Sequence, residues 1–135
     1  MVRSEARELM MQLLFQMEAQ NEYNTEIKDR FLSDKGEFGN QQTYMDEVLN
    51  AVKEHISQID QILEESSENW KISRMGKVDL AISRLAVCEM LYIESVPTSV
   101  AINEAINLAK KFGTEESGKF INGLLGKVAK KVTEG

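Results

Sequence analysis

Residues 96–125 read VPTSVAINEAINLAKKFGTEESGKFINGLL, and this stretch contains the only proline of the chain. Pro97 ends any preceding helix, and Thr98 or Ser99 is expected to cap a new helix by accepting a hydrogen bond from a free N–H group. Gly113 is expected to end that helix in a backbone conformation with positive φ. The stretch therefore predicts two helices joined by a tight glycine turn.

The residues after Gly113 predict where the second helix begins. Thr114 is expected to cap it, and Glu115 and Glu116 then lie in its first turn, where the helix dipole favours carboxylates. We call residues 110–120, which span this turn, the elbow.

Helical periodicity also runs through the rest of the chain. Apolar residues recur at three- and four-residue steps, which predicts an amphipathic helix over residues 4–19 with Ser4 as its cap. The further predicted elements are a short helix near residues 27–32, a loop over 33–40, and helices over 42–66, 74–93, 99–112 and 115–132. No alternating strand pattern is present, so the sequence predicts an all-α fold, a compact bundle of six or seven helices.

Three glycines interrupt the last predicted helix. Gly118, Gly123 and Gly126 each cost roughly 0.8–1 kcal/mol relative to alanine. We expect either a close helix approach at these positions or a helix face kept clear for a ligand.

Length and composition place limits on the class of protein. A chain of 135 residues is expected to form one domain with a single core. Cys88 is the only cysteine, which excludes an internal disulfide and fits a reducing compartment. The sequence has no signal-peptide pattern and no apolar window of about 18 residues, so we expect a soluble, cytoplasmic protein.

Charge is unevenly distributed. The net charge is −6, but residues 1–67 hold 6 basic and 14 acidic side chains, whereas residues 68–135 hold 10 basic and 8 acidic ones. An acidic surface for a basic protein and a smaller basic surface for RNA is one interpretation. Ordinary solubility is the other, and charge alone favours neither.

Residues typical of catalysis or metal binding are sparse. His55 is the only histidine and has no ligand partners at the spacing of a zinc site, and Cys88 is expected to be a buried apolar residue. Phosphate-binding glycine motifs are absent. We therefore expect neither a cofactor nor a metal and do not expect an enzyme. Trp70 is expected to fill the core.

Basic and aromatic residues favour RNA binding instead. Arg3 and Arg7 are four residues apart, which places them on one side of the first helix. The elbow adds basic and aromatic side chains of the kind that bind RNA backbones and splayed bases. These are Lys110, Lys111, Phe112, Lys119 and Phe120. For both phenylalanines, core packing is an equally good explanation.

Three segments together resemble the NusB family of bacterial transcription antitermination factors. They are MVRSEARELMMQLLF at residues 1–15, RMGKVDLAISRLAVCEML at 74–91 and VPTSVAINEAINLAKKFGTEESGKFINGLLGK at 96–127. The resemblance covers the chain except for roughly residues 21–50. It implies a single NusB-like domain, residues 1–135, of two packed three-helix subdomains.

The resemblance also implies a function. Members of this family bind the boxA element of nascent ribosomal RNA and help assemble an antitermination complex on RNA polymerase. Carried over by position, the RNA-binding residues are Arg3, Arg7, Phe112, Glu116, Lys119 and Phe120. Several members begin with three or four adjacent basic residues and carry an aspartate where Glu116 stands, so we expect weak RNA binding by the isolated protein.

The resemblance further implies a protein partner, NusE, a basic small-subunit ribosomal protein. Phe15, Asp79 and Arg84 are the corresponding contact candidates. Without the resemblance, Asp79 is better explained as a solvated helix residue and Arg84 as a salt-bridge partner within its own helix.

Two other functions remain as alternatives. One is a helical adaptor that binds protein and no RNA. The other is the accessory module found fused to RNA methyltransferases, whose catalytic domain has no room in a chain ending at Gly135. A homodimer is also possible in the free protein.

Overall fold

The structure is a computed structural model that describes residues 1–22, 25–68 and 71–134. Within these ranges it contains six α-helices and no strands, which confirms the predicted all-α fold. The helices are α1 (Arg3–Gln20), α2 (Thr25–Leu32), α3 (Gln42–Ser66), α4 (Lys77–Tyr92), α5 (Thr98–Phe112) and α6 (Ser117–Glu134). Single 3₁₀ turns, Gly39–Gln41 and Ile72–Arg74, precede α3 and α4. Trp70 lies outside the described residues.

Helix α4 is the centre of the bundle. It packs against α1, α3, α5 and α6, and every residue from 80 to 89 is buried. A helix enclosed by neighbours on several sides needs apolar residues around most of its circumference rather than along one stripe. The helices fall into two sets of three, α1–α3 and α4–α6, and α4 makes most of the contacts between the sets.

The predicted side-chain caps of α1 and α5 are wrong. Each helix begins one residue earlier than predicted, with Val2 and Pro97 as N-caps, and neither cap makes a side-chain hydrogen bond. At α5 the carbonyl of Pro97 accepts hydrogen bonds from the N–H groups of Val100 and Ala101, both at 3.0 Å. The extended backbone of the proline therefore starts the helix, and Thr98 already lies inside it.

Helix α3 has the predicted bounds but bends at His55, where φ is −120° and ψ is 19°. The imidazole ring of His55 stacks on the ring of Tyr92 in α4, with ring centroids 4.1 Å apart. The lone histidine thus packs between two helices.

Cys88 is fully buried in α4, as predicted. Its thiol lies 3.7 Å from the carbonyl oxygen of Val48, and burial raises the pKa of the thiol to about 12. The thiol therefore stays protonated at physiological pH, which makes it a poor nucleophile.

None of the described helices combines the length and apolar character needed to span a bilayer.

Candidate nucleic-acid interface

The elbow is built on a close approach between Gly113 and Ser117. Gly113 has φ −96° and ψ −166°, so the predicted positive φ is wrong. A Cβ on Gly113 would lie 2.6 Å from Ser117 Oγ, 2.7 Å from Ser117 Cβ and 2.9 Å from the Ala109 carbonyl oxygen. Glycine is required here by lack of space rather than by backbone dihedral angles.

Ser117 also closes the turn. Its buried hydroxyl oxygen accepts a hydrogen bond from the Thr114 N–H at 2.9 Å, while the Thr114 carbonyl accepts from the Ser117 N–H at 3.1 Å. The first bond is one half of a capping box, in which a side chain accepts from the backbone N–H three residues earlier, whereas the second joins two backbone groups. Helix α6 begins at Ser117, so Glu115 and Glu116 lie in the preceding turn rather than in the first helical turn as predicted.

Three consecutive residues at the end of α5 point in different directions, since each helical residue is rotated by about 100° from the last. Lys110 faces a crevice between α5 and α6. Lys111 forms an ion pair with Glu8 of α1, with Nζ 2.7 Å from Oε1. Phe112 is half-buried against α1, where it lines an apolar groove together with Met11 and Phe15.

These contacts bring the start of α1 next to the elbow. Glu8 is five residues from Arg3, which is about 7.5 Å along the helix axis. Arg7 adds a second link, since its Nη1 lies 3.6 Å from Glu104 of α5. The two segments carrying the predicted RNA-binding residues are thus neighbours in the fold although about 100 residues separate them in sequence.

The remaining elbow candidates are accessible. Glu116 and Lys119 are exposed, and Phe120 is half-buried. Lys119 lines the crevice between α5 and α6 together with Lys110 and Asn122. Asn122 was not identified from the sequence, although its position three residues after Lys119 places it on the same helix face.

Arg3 is held by two side chains near the start of α3. Its Nε donates a hydrogen bond of 2.6 Å to Gln41 Oε1, and its guanidinium carbon lies 4.2 Å from the centroid of the Tyr44 ring. Neither Gln41 nor Tyr44 carries a signal in the sequence that links it to Arg3.

Arg7 has a different environment, because only 4% of the residue is exposed. Its Nε and Nη2 both donate to the buried carboxylate of Glu89 in α4 at 2.9 Å. Burial lowers the pKa of Arg7, but the hydrogen bond and negative charge of Glu89 outweigh it, and the net shift is upward. Arg7 is therefore a charged residue of the core and offers no free surface to RNA.

The partner-binding candidates also divide into accessible and buried residues. Phe15 is 37% exposed and lines an apolar groove with Phe31, Val78 and Phe112. Asp79 is half-buried in the first turn of α4 and directly follows Val78, one of the groove residues. Phe112, an RNA candidate, shares its groove with a partner candidate.

Arg84 is 4% exposed, and its partners lie on other helices rather than on its own. Its guanidinium donates to Asp60 of α3 and to Glu18 of α1, each at 2.8 Å. This residue joins three helices in the interior.

Part of the charge asymmetry is balanced by ion pairs between the two halves of the chain. Acidic residues of the first half pair with basic residues of the second in the contacts Glu8–Lys111, Glu18–Lys77, Glu18–Arg84, Asp60–Arg84 and Glu65–Lys131. Uneven charge along the sequence therefore reflects pairing between subdomains as well as surface potential.

The glycines of α6 do not mark close helix approaches. A Cβ at Gly118, Gly123 or Gly126 would meet nothing within 4 Å, and the last two positions are exposed. The expected close helix approach is therefore wrong. Gly123 and Gly126 instead lie on an accessible part of α6.

Among the residues that the structure describes, no group of three or more His, Cys, Asp or Glu could hold a metal ion. The apolar groove and the lysine-bearing elbow lie on either side of the end of α5. The fold and this surface define a small helical binding protein.

Comparison with known proteins identifies its family. Residues 4–130 match the NusB family model. Transcription antitermination protein NusB of Agathobacter rectalis is 42% identical over 131 residues, which cover 96% of this chain and 100% of the relative. The protein of the same name from Acetivibrio thermocellus is 44% identical over 130 residues, 96% of this chain and 90% of the relative. The chain belongs to the NusB family.

Solved structures share the fold over nearly the whole chain. T. maritima NusB superposes with a TM-score of 0.89 at 33% identity, covering 97% of this chain and 92% of that one. A structure of antitermination factors NusB and NusE in complex with dsRNA gives a TM-score of 0.85 at 26% identity, with 97% and 99% covered.

Proposed function

We propose that this protein is a non-enzymatic, cytoplasmic transcription antitermination factor that binds boxA RNA of nascent ribosomal RNA as a heterodimer with NusE. The pair would help assemble the antitermination complex on RNA polymerase. The observation that carries the proposal is that the start of α1 lies beside the end of α5, as the Lys111–Glu8 and Arg7–Glu104 contacts show, because this places the two candidate RNA-binding segments side by side. A NusB relative has been solved with NusE and dsRNA, which supports the same class of partners here.

The RNA surface in this proposal contains the accessible basic and aromatic candidates. Arg3 and Lys119 contact phosphates, and Phe120 offers a ring edge or face to an unstacked base. Glu116 accepts hydrogen bonds from base amino groups or ribose hydroxyls. Arg7 is a positioning residue, because its ion pair with Glu89 fixes α1 against α4.

The partner surface contains the apolar groove and Asp79. Phe15 and Phe112 supply apolar area in the groove, and aromatic residues of this kind are the usual anchors of protein interfaces. Asp79 provides a carboxylate for a basic protein. Arg84 is a positioning residue that holds α4 to α1 and α3.

Phe112 lies at the junction of the two surfaces. It is the last residue of α5, directly before the elbow glycine, and its ring faces the groove. A partner docked in the groove therefore orders the residue that begins the RNA-binding turn. This coupling predicts that each ligand tightens the binding of the other by the same factor.

The decisive experiment measures binding of a boxA RNA and of a scrambled RNA by fluorescence anisotropy, with and without NusE. We expect weak binding alone, tighter binding to boxA with NusE, and little gain for the scrambled sequence. An affinity that NusE leaves unchanged would refute the coupled model. Binding of NusE without any binding of RNA would instead identify the protein as an adaptor.

A matched pair of lysine variants tests the RNA surface. Lys119→Ala should weaken RNA binding by about three- to tenfold and lower the salt dependence by about one phosphate contact. Lys53→Ala, an exposed lysine of α3 that does not line the elbow crevice, is the control and should change neither quantity. Equal effects of the two variants would show that only net charge matters.

A further inference from the structure

Arg3 is already immobilised in the free protein. One face of its guanidinium group covers the Tyr44 ring at 4.2 Å, and its Nε is engaged by Gln41 at 2.6 Å. An arginine at a helix start would ordinarily be mobile. The two terminal nitrogens, Nη1 and Nη2, are left as the pair that can reach an external ligand.

The two side chains that hold Arg3 are themselves fixed by the core. Tyr44 is 3% exposed, and the guanidinium carbon of Arg7, itself paired with Glu89, lies 5.7 Å from its ring centroid. Gln41 is also buried, and its Nε2 donates to Asn40 Oδ1 at 3.3 Å, which leaves its oxygen for Arg3. A rigid chain of contacts thus runs from the core ion pair to the surface arginine.

We propose that Tyr44 and Gln41 are positioning residues that hold Arg3 so that its Nη1 and Nη2 atoms receive a phosphate group of the RNA. This inference rests on the proposed function and deepens it. A guanidinium fork binds phosphate with two parallel hydrogen bonds, and its geometry matters as well as its charge. Because Arg3 is fixed before binding, it loses little conformational entropy when the phosphate arrives.

The arrangement also bears on the small number of arginines at the start of the chain. A run of flexible basic residues attracts phosphate by charge alone, whereas this chain has Arg3 as its one surface arginine in α1 and Arg7 in the core. Pre-ordering gives the one accessible guanidinium of α1 a larger share in RNA binding than its charge would provide.

The first test compares neighbouring glutamines in the complete protein with NusE present. Gln41→Ala should weaken binding of a boxA RNA about three- to tenfold, because it frees Arg3. Gln42→Ala is the control, since Gln42 is exposed and donates to Asp46 instead, and it should leave RNA affinity unchanged. Tyr44→Phe should also be neutral because it keeps the ring, whereas Tyr44→Leu should weaken binding. NusE affinity, measured in parallel, should be the same for all four variants.

The second test separates positioning from charge. Arg3→Lys keeps the charge but lacks the planar group, so it should lower RNA affinity while the salt slope stays at the wild-type value. In an Arg3→Ala background, Gln41→Ala should cause no further loss. Independent, additive losses would refute the inference, and so would full RNA affinity of Gln41→Ala. If the wild-type protein with NusE does not bind RNA at all, the proposed function itself fails.

Discussion

The interior around α4 and the exposed elbow both carry basic residues of the family signature, yet they use them for different purposes. Arg7 and Arg84 are buried and each is bonded to carboxylates of other helices. Lys110 and Lys119 are exposed and line an open crevice. The comparison shows that one basic residue of a functional signature can stabilise the scaffold while another stays accessible to a ligand, and burial separates the two environments.

The largest predicted effect concerns the interior. Arg7→Ala leaves the carboxylate of Glu89 buried without its principal partner, which should lower the free energy of unfolding by about 3–5 kcal/mol. Urea denaturation measures this loss. RNA binding by the fraction that stays folded should keep its salt slope, because Arg7 does not contact phosphate.

A matched control for this prediction is Arg3→Ala, which removes the half-buried arginine one turn earlier. It should cost only about 1 kcal/mol of stability but reduce the salt slope of RNA binding. The opposite pattern, with Arg7 setting the slope and Arg3 the stability, would overturn the division between interior and surface.

The next effect tests why the elbow needs glycine. Gly113→Ala forces a methyl group against Ser117 and the Ala109 carbonyl, and we expect a loss of roughly 1–3 kcal/mol in the free energy of unfolding, together with weaker RNA binding. Adding Ser117→Gly should recover part of the stability by reopening the space. A neutral Gly113→Ala variant would mean that the turn relaxes freely, and close approach would then not explain the glycine.

Sequence periodicity predicted the helices well because their amphipathic stripes are physical requirements of packing. Helix α3 has its predicted bounds at residues 42 and 66, and the predicted loop before it holds only a 3₁₀ turn near its end. Helix caps were predicted less well. Ser4 and Thr98 are suitable capping residues by type, but an earlier residue, Val2 or Pro97, starts each helix through its backbone.

The candidate site was predictable in outline and not in detail. The elbow and the start of α1 were identified, but pairing partners such as Glu89 for Arg7 are 82 residues away in sequence and leave no local pattern. The same is true of Gln41 for Arg3. Whether an arginine is buried depends on which helix packs over it, and this information resides in the tertiary structure.

A smaller effect of opposite sign is expected on α6. Gly126 is exposed and a Cβ there would meet no other atom within 4 Å, so Gly126→Ala should raise the free energy of unfolding by about 0.5–1 kcal/mol. Thermal denaturation measures the gain. RNA and NusE binding, measured on the same variant, show whether this glycine face also receives a ligand. Stabilisation without loss of either would leave the face without a role in binding.

The smallest effect on stability is expected for the exposed ion pair between Glu8 and Lys111, since such pairs contribute about 0–1 kcal/mol.

The effect of this ion pair on RNA binding is more informative. If charge dominates at this surface, Lys111→Ala should weaken RNA binding by about two- to threefold at low salt and Glu8→Ala should strengthen it by a similar factor, with both effects fading as salt is raised. If the pair instead acts as a tether that places the elbow beside α1, both variants should weaken binding, and the loss should persist at high salt. We expect the first result, because the packing of Phe112 against α1 already holds the two segments together. Lys131 lies near the end of α6, away from the elbow, and forms a comparable exposed ion pair with Glu65 of α3. Lys131→Ala should therefore leave RNA binding unchanged.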